Sequence, residues 1–208
     1  MNKTTSKEIT TILKEIIPNP KCELDYNNSF TLLCAVMLSA QTTDKRVNLV
    51  TPVLFDKYPK IEDLANAKYE DVYQIISSLG LAKTKASNII NLAKKIHEEY
   101  HDIVPNTIEE LTKLPGVGRK TASVILVEYF KIPAMPVDTH LHRMAIRLGY
   151  IKKTGTISDA EASYKKFIPK EEWIVAHHLF LLFGRYHCKA INPECTNCKL
   201  KNYCKHYK

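Results

Sequence analysis

The chain runs to 208 residues and carries 30 lysines and arginines against 22 aspartates and glutamates, a formal net charge of +8. Such a length buries one good core or two small ones and leaves no room for an added catalytic domain. The polar, amphipathic opening through Lys14 lacks the apolar run of a signal peptide, and stretches such as Val124-Ile125-Leu126-Val127 stop short of bilayer thickness. A soluble cytoplasmic protein with no membrane partner is therefore expected. The basic balance fits a polyanionic partner held through phosphates, and fits a merely solvated surface as well. Nothing asks for an obligate oligomer, so a monomer is expected.

In chain order, Ile9, Ile12 and Leu13 mark a first amphipathic helix, and apolar residues recur at helical spacing in Phe30-Leu33-Cys34-Met37 and again in Ile89-Ile90-Ala93-Ile96. Cys22 and Cys34 read as half-buried helix positions. Thr107-Ile108-Glu109-Glu110 and Ser158-Asp159-Ala160-Glu161 each have the form of a capping box, with prolines such as Pro105 and Pro169 punctuating the turns. Period-two alternation is scarce and no Asn-Gly or Asp-Gly hairpin signal occurs, so the fold class is all-α. The stretch Lys131-Ile132-Pro133-Ala134-Met135-Pro136 breaks the helical pattern most firmly and divides the chain. Leu79-Gly80-Leu81 through Lys85-Ala86-Ser87 weakly echoes Leu114-Pro115-Gly116 through Lys120-Thr121-Ala122-Ser123, a match too short to argue ancestry. His140, His142, His177 and His178 lack the acids and spacing of a zincin helix and read as packing and hydrogen-bonding residues, and Trp173 reads as core or as a plug between domains.

Leu114-Pro115-Gly116-Val117-Gly118-Arg119-Lys120-Thr121 is the most chemically loaded stretch. Its glycines leave the backbone uncovered at the start of a helix, where the N–H groups of Gly116 and Gly118 can meet a phosphate oxygen with the helix dipole behind them. Such a grip holds phosphate without reading bases. An ordinary tight helix–helix turn is the plain alternative. Against it, Arg119 and Lys120 place two cations where the dipole disfavours them.

The chain closes with Cys188, six residues, Cys195, two residues, Cys198, five residues and Cys204. Thiols that dense in a chain without a secretion signal read as metal or iron–sulfur ligands rather than disulfides. Only Cys195 and Cys198 form a knuckle of the kind structural zinc sites use in pairs, so a [4Fe–4S] cluster with one thiolate per iron suits the spacing better than zinc.

The hairpin, then Val137-Asp138-Thr139-His140, then Gly184-Arg185-Tyr186 and the four cysteines, together with Leu38-Ser39-Ala40-Gln41-Thr42-Thr43-Asp44, resemble the endonuclease III family of helix–hairpin–helix DNA glycosylases from end to end. The loop Lys189 to Glu194 holds one cation and one acid where relatives are often more basic, and Phe183 stands where relatives can carry histidine. The resemblance implies a base excision repair enzyme that removes oxidised pyrimidines from duplex DNA and cleaves the abasic site by Schiff-base β-elimination. It implies two helical domains, residues 21–132 with the hairpin and residues 1–20 with 133–208 around the cluster, and an active site in the cleft between them. It implies Lys120 as the amine nucleophile, whose neutral form a helix N-terminus and partial burial would favour, and Asp138 as the carboxylate that stabilises charge on the sugar. Gln41 and Leu81 are implied to enter the space left by a flipped nucleotide, and Gly116, Gly118 and Arg119 to hold the DNA backbone. Lys199, Lys201, Lys205 and Lys208 are candidates for further DNA contact or for a solvated rim. A non-enzymatic DNA-binding redox sensor is the rival from another class, and needs neither Lys120 nor Asp138.

Overall fold

The computed structural model describes residues 1–207. Eleven α-helices and two short 3₁₀ turns account for its regular structure, and no strand occurs among the described residues. The chain separates into two compact units, Glu23–Phe130 and, around it in sequence, Met1–Cys22 with the chain from Lys131 onward.

The contiguous unit is built on α2 (Ser29–Leu38), which is apolar on every face and buries Phe30, Leu32, Leu33, Cys34, Ala35, Met37 and Leu38. A helix of that composition has to be enclosed. It starts at a capping box in which Asn28 accepts from the Thr31 amide and the Thr31 hydroxyl accepts from the Asn28 amide. Around it lie α3 (Asp44–Lys57), α4 (Ile61–Ala65), α5 (Tyr69–Ile76), α6 (Ala82–Tyr100), α7 (Ile108–Leu111) and α8 (Arg119–Glu128). The apolar face of α6, with Ala86, Ile89, Leu92, Ala93 and Ile96 fully enclosed, packs on α4, α5 and α2, while α8 packs on α2 and α7. Burial inside α2 pushes the Cys34 thiol far above its ordinary range and makes it an inert small apolar residue.

The second unit joins α1 (Lys3–Ile16) to α9 (Thr139–Arg147), α10 (Ile157–Phe167) and α11 (Trp173–Tyr186). Ile9 and Leu13 of α1 enter a core with Leu141, Met144, Tyr164, Leu179 and Phe180. Buried hydroxyls are matched within it: Ser6 and Tyr150 share a hydrogen bond of 2.6 Å, and the Tyr164 hydroxyl donates to the Leu141 carbonyl at 2.9 Å. Gly184 lets α11 approach α9 closely, since a Cβ there would stand 3.0 Å from the His140 Cβ. Trp173 is half-buried against this core and donates its indole N–H to the Ile168 carbonyl at 2.9 Å.

Three local expectations need correction. The cap of α10 is Thr156, not Ser158: Thr156 holds the extended backbone of a cap and its amide donates to Asp159 Oδ2 at 2.7 Å, so Ser158 and Glu161 lie inside the helix. At α7 the box is only half made. Thr107 accepts from the Glu110 amide at 3.2 Å, but the Glu110 carboxylate turns to Lys113 and to the Tyr100 hydroxyl, whose pKa it raises to about 12. Cys22 is half-buried as expected but sits in irregular chain between α1 and α2, and Cys34 is fully rather than half buried.

Candidate DNA-repair site

The loop between α7 and α8 is shaped by Gly116, whose φ of +75° lies in the left-handed region that favours glycine. A side chain there would also crowd Met37 Sδ at 2.7 Å and Asn88 Nδ2 at 3.0 Å. Val117 is buried and anchors the loop, its amide closing a turn onto the Leu114 carbonyl at 3.1 Å. Gly118 is the N-cap of α8, with extended backbone rather than positive φ and open space where a Cβ would go. The caps of α1, α2, α3, α7, α9 and α10 all accept from their helix amides through a side chain, whereas α8 has none. No side chain caps the first amides of α8, as none does at α5, α6 and α11, and the positive end of the helix dipole lies behind them. An anion is what such an end binds.

Arg119 and Lys120 are the first and second residues of α8 and both are exposed, with no hydrogen bond or ion pair to another described residue. The partial burial expected for Lys120 is absent, because the hairpin carries this first turn away from the core that Ala122 and Ile125 enter. Asp138 is the half-buried N-cap of α9, and its Oδ1 accepts from the amides of His140 at 2.8 Å and Leu141 at 2.9 Å. Lys120 and Asp138 belong to different units of the chain.

Gln41 and Leu81 both adopt left-handed backbone, with φ of 54° and 61°. Both are exposed, Leu81 to 55%. Their loops are joined: the Gly80 amide donates to the Thr42 hydroxyl at 3.2 Å, and a Cβ on Gly80 would meet the Gln41 carbonyl at 2.9 Å. Sequence reasoning had no signal that these two segments touch.

Cys188, Cys195, Cys198 and Cys204 line one pocket with Arg147, Phe183 and His187. Burial first, then the neighbouring sulfurs of Cys188, Cys204 and Cys195, push the Cys198 thiol up, and a cation beside it would favour its thiolate. Four sulfurs lining one pocket form a donor set that can hold an iron–sulfur group. Arg147, which the sequence did not single out, donates to Cys188 Sγ at 3.2 Å and to the Lys189 carbonyl at 2.8 Å. Arg143 reaches the same segment, donating to the carbonyls of Cys188 at 3.0 Å and Gly184 at 2.6 Å, and lies against His140 Nδ1 at 3.1 Å. His142 bonds the Gly155 carbonyl at 2.7 Å. In the loop between the first two cysteines, Lys189 pairs with Glu194 at 3.1 Å. Of the terminal lysines, Lys199 pairs with Glu15 at 3.4 Å and Lys205 covers Gly149, while Lys208 lies outside the described residues.

Residues 34–170 match the HhH-GPD superfamily of base excision DNA repair proteins, which sets the class. Endonuclease III of Bacillus subtilis (strain 168) is 46% identical over 191 residues, covering 92% of this chain and 87% of the relative. Endonuclease III of Thermotoga maritima is 38% identical over 200 residues, with 96% and 93% covered. A trapped endonuclease III–DNA covalent intermediate, solved as an estranged-adenine complex, superposes with a TM-score of 0.95 at 42% identity over 100% of this chain and 97% of that one. The chain belongs to the endonuclease III family. These relatives imply an iron–sulfur cofactor.

Proposed function

We propose that the protein is a bifunctional DNA glycosylase and abasic-site lyase that removes oxidised pyrimidines from duplex DNA, with Lys120 as nucleophile and Asp138 as its carboxylate partner in the chemistry. The observation that carries the reading is an exposed amine, free of described partners, on the first turn of a helix whose end is left uncapped beside it. The uncapped amides and Arg119 take the DNA phosphates, which brings the backbone to the amine.

In this reading the Lys120 amine attacks C1′ of the extrahelical nucleotide as the C1′–N bond to the damaged base breaks, and the base leaves with the bonding electrons and is protonated. The amine then loses protons and the ring opens to a Schiff base. Loss of a C2′ proton sends electrons toward the imine and expels the 3′ phosphate, after which water releases the unsaturated sugar and restores the amine. The carboxylate of Asp138 balances the positive charge that develops on the sugar and takes a proton in turn, while Oδ1 keeps capping α9. Gln41 and Leu81 occupy the hole left in the duplex.

Residues 21–132 serve as the DNA-gripping domain and residues 1–20 with 133–208 as the cluster domain. Cys188, Cys195, Cys198 and Cys204 hold a [4Fe–4S] cluster that ties down a segment with little core of its own and has no part in the chemical steps. A reducing cytoplasm, where thiols stay available as ligands, is the compartment that suits this site. Incubation with a duplex carrying thymine glycol tests the reading: free base and a nicked strand are expected together, and release of base without scission would remove the lyase assignment. Iron and sulfide near four each per chain are expected, and stoichiometric zinc without sulfide would overturn the cluster.

A further inference from the structure

Lys85, in the first turn of α6, is 4% exposed, yet no described acid neutralises it. Its Nζ donates to the carbonyls of Leu38 and Ala40, each at 2.7 Å, and to the Thr42 hydroxyl at 3.0 Å. Three donors meet three acceptors. The acceptors end α2 and trace the loop after it, and Gln41 stands between the second and the third. The negative end of α2 further favours a cation at that point. Burial lowers the pKa of this lysine below the ordinary lysine value, which is the cost of the arrangement. A methionine would fill the same space and leave two main-chain carbonyls without this donor. With every proton engaged and only 4% exposure, Lys85 is not a second nucleophile.

The hydroxyl that Lys85 holds is also the one that accepts the Gly80 amide at 3.2 Å. Leu81 follows directly, and both Leu81 and Gln41 are held in backbone conformations that only glycine adopts without penalty. Strained residues on two separate loops stay in place only where the surroundings over-determine them.

We propose that Lys85 is a positioning residue for base extrusion: its ammonium bolts the Gln41 loop to the Leu81 loop through Thr42, so that the two side chains enter the duplex as one rigid wedge. Lys85 itself never touches DNA. The proposal rests on the reading of Gln41 and Leu81 as the residues that fill the vacated space.

The test compares two reactions, excision of thymine glycol from a duplex, which needs the wedge, and borohydride trapping on an abasic site in a single strand, which does not. Lys85→Met is expected to slow duplex excision by about tenfold or more while single-strand trapping stays within about twofold of wild type. The fluorescence of 2-aminopurine placed opposite the lesion should lose its rise on binding. Thr42→Val, a milder change at the link between the loops, should give the same split to a smaller degree and serves if Lys85→Met folds poorly. Equal losses in both reactions, or none in either, across Lys85→Met and Thr42→Val would overturn the proposal. Gln41→Ala and Leu81→Ala separate its failure from that of the wedge reading. If those two leave duplex excision intact, the wedge reading falls and takes the proposal with it. If they show the split and the Lys85 and Thr42 variants do not, the proposal alone falls.

Discussion

The turn that enters α6 and the turn that enters α8 share a plan and offer solvent opposite things. Each passes through one left-handed residue, Leu81 at φ 61° and Gly116 at φ 75°, and each carries a lysine four residues further on, Lys85 and Lys120. At α8 the left-handed residue is glycine, so the side chain is given up, backbone amides are bared, and the lysine stands free in solvent. At α6 it is leucine, so an apolar side chain projects, and the lysine is drawn inside to hold the loops that present it. The choice of residue at one strained position decides whether a turn presents its backbone or a side chain. The neighbouring lysine is exposed in one turn and in the other is buried with its ammonium bonded to Leu38, Ala40 and Thr42.

The strongest way to break this contrast is Lys120→Gln. Borohydride trapping and strand scission should vanish, while thermal unfolding stays within about 0.5 kcal/mol of wild type because the side chain is exposed and has no described partner. Persistent trapping in that variant would hand the nucleophile's role to another amine.

Asp138→Asn sharpens the contrast between a capped and an uncapped helix start. The amide oxygen can still accept from His140 and Leu141, so stability should move by less than about 1 kcal/mol, whereas turnover should fall by roughly 10²–10⁴ if the charge does the work. A parallel fall in unfolding midpoint and activity would reduce Asp138 to a cap.

The two hairpin glycines should part company in urea unfolding. Gly116→Ala is expected to cost about 1–2 kcal/mol for a left-handed L-residue, and Met37 and Asn88 must shift as well. Gly118→Ala meets open space and should lose only the difference between glycine and alanine as a cap, under about 1 kcal/mol. Equal costs would mean that the turn does not depend on the left-handed position.

One further effect should have the opposite sign. Leu81→Asn relieves a left-handed leucine whose side chain buries little, so stability should rise by about 1 kcal/mol while duplex excision drops. A loss of stability instead would show that Leu81 is packed rather than presented.

Much of this was legible in the residues. The apolar run from Phe30 to Leu38 and the helical spacing from Ile89 to Ile96 mark the two central helices, because a fully enclosed helix is apolar all round and a helix covered on one face writes its burial at regular intervals. The glycines around Val117 and the three spacings among the four cysteines are equally local. Lys85 was not legible as a fastener: two of its acceptors are main-chain carbonyls 45 and 47 residues away, and a carbonyl carries no sequence signature. Arg147 was hidden in the same way, since its place on α9 predicts a dipole partner and not a sulfur contact. Ser158 misled because Thr156, two residues earlier, offers the same hydroxyl with an acid at the same spacing.

The placement of α1 has a consequence for synthesis on the ribosome. Ser6 finds its hydroxyl partner 144 residues later and Glu8 finds Tyr203 after 195, so α1 is completed by residues that emerge only after the whole Glu23–Phe130 unit. The Glu23–Phe130 unit is continuous and can close its own core while α1 is still without partners. In chains stalled once Phe130 has cleared the exit tunnel, the Glu23–Phe130 unit is expected to resist protease while α1 is cut. Protection of α1 at that length would show that it finds a shelter other than its final one.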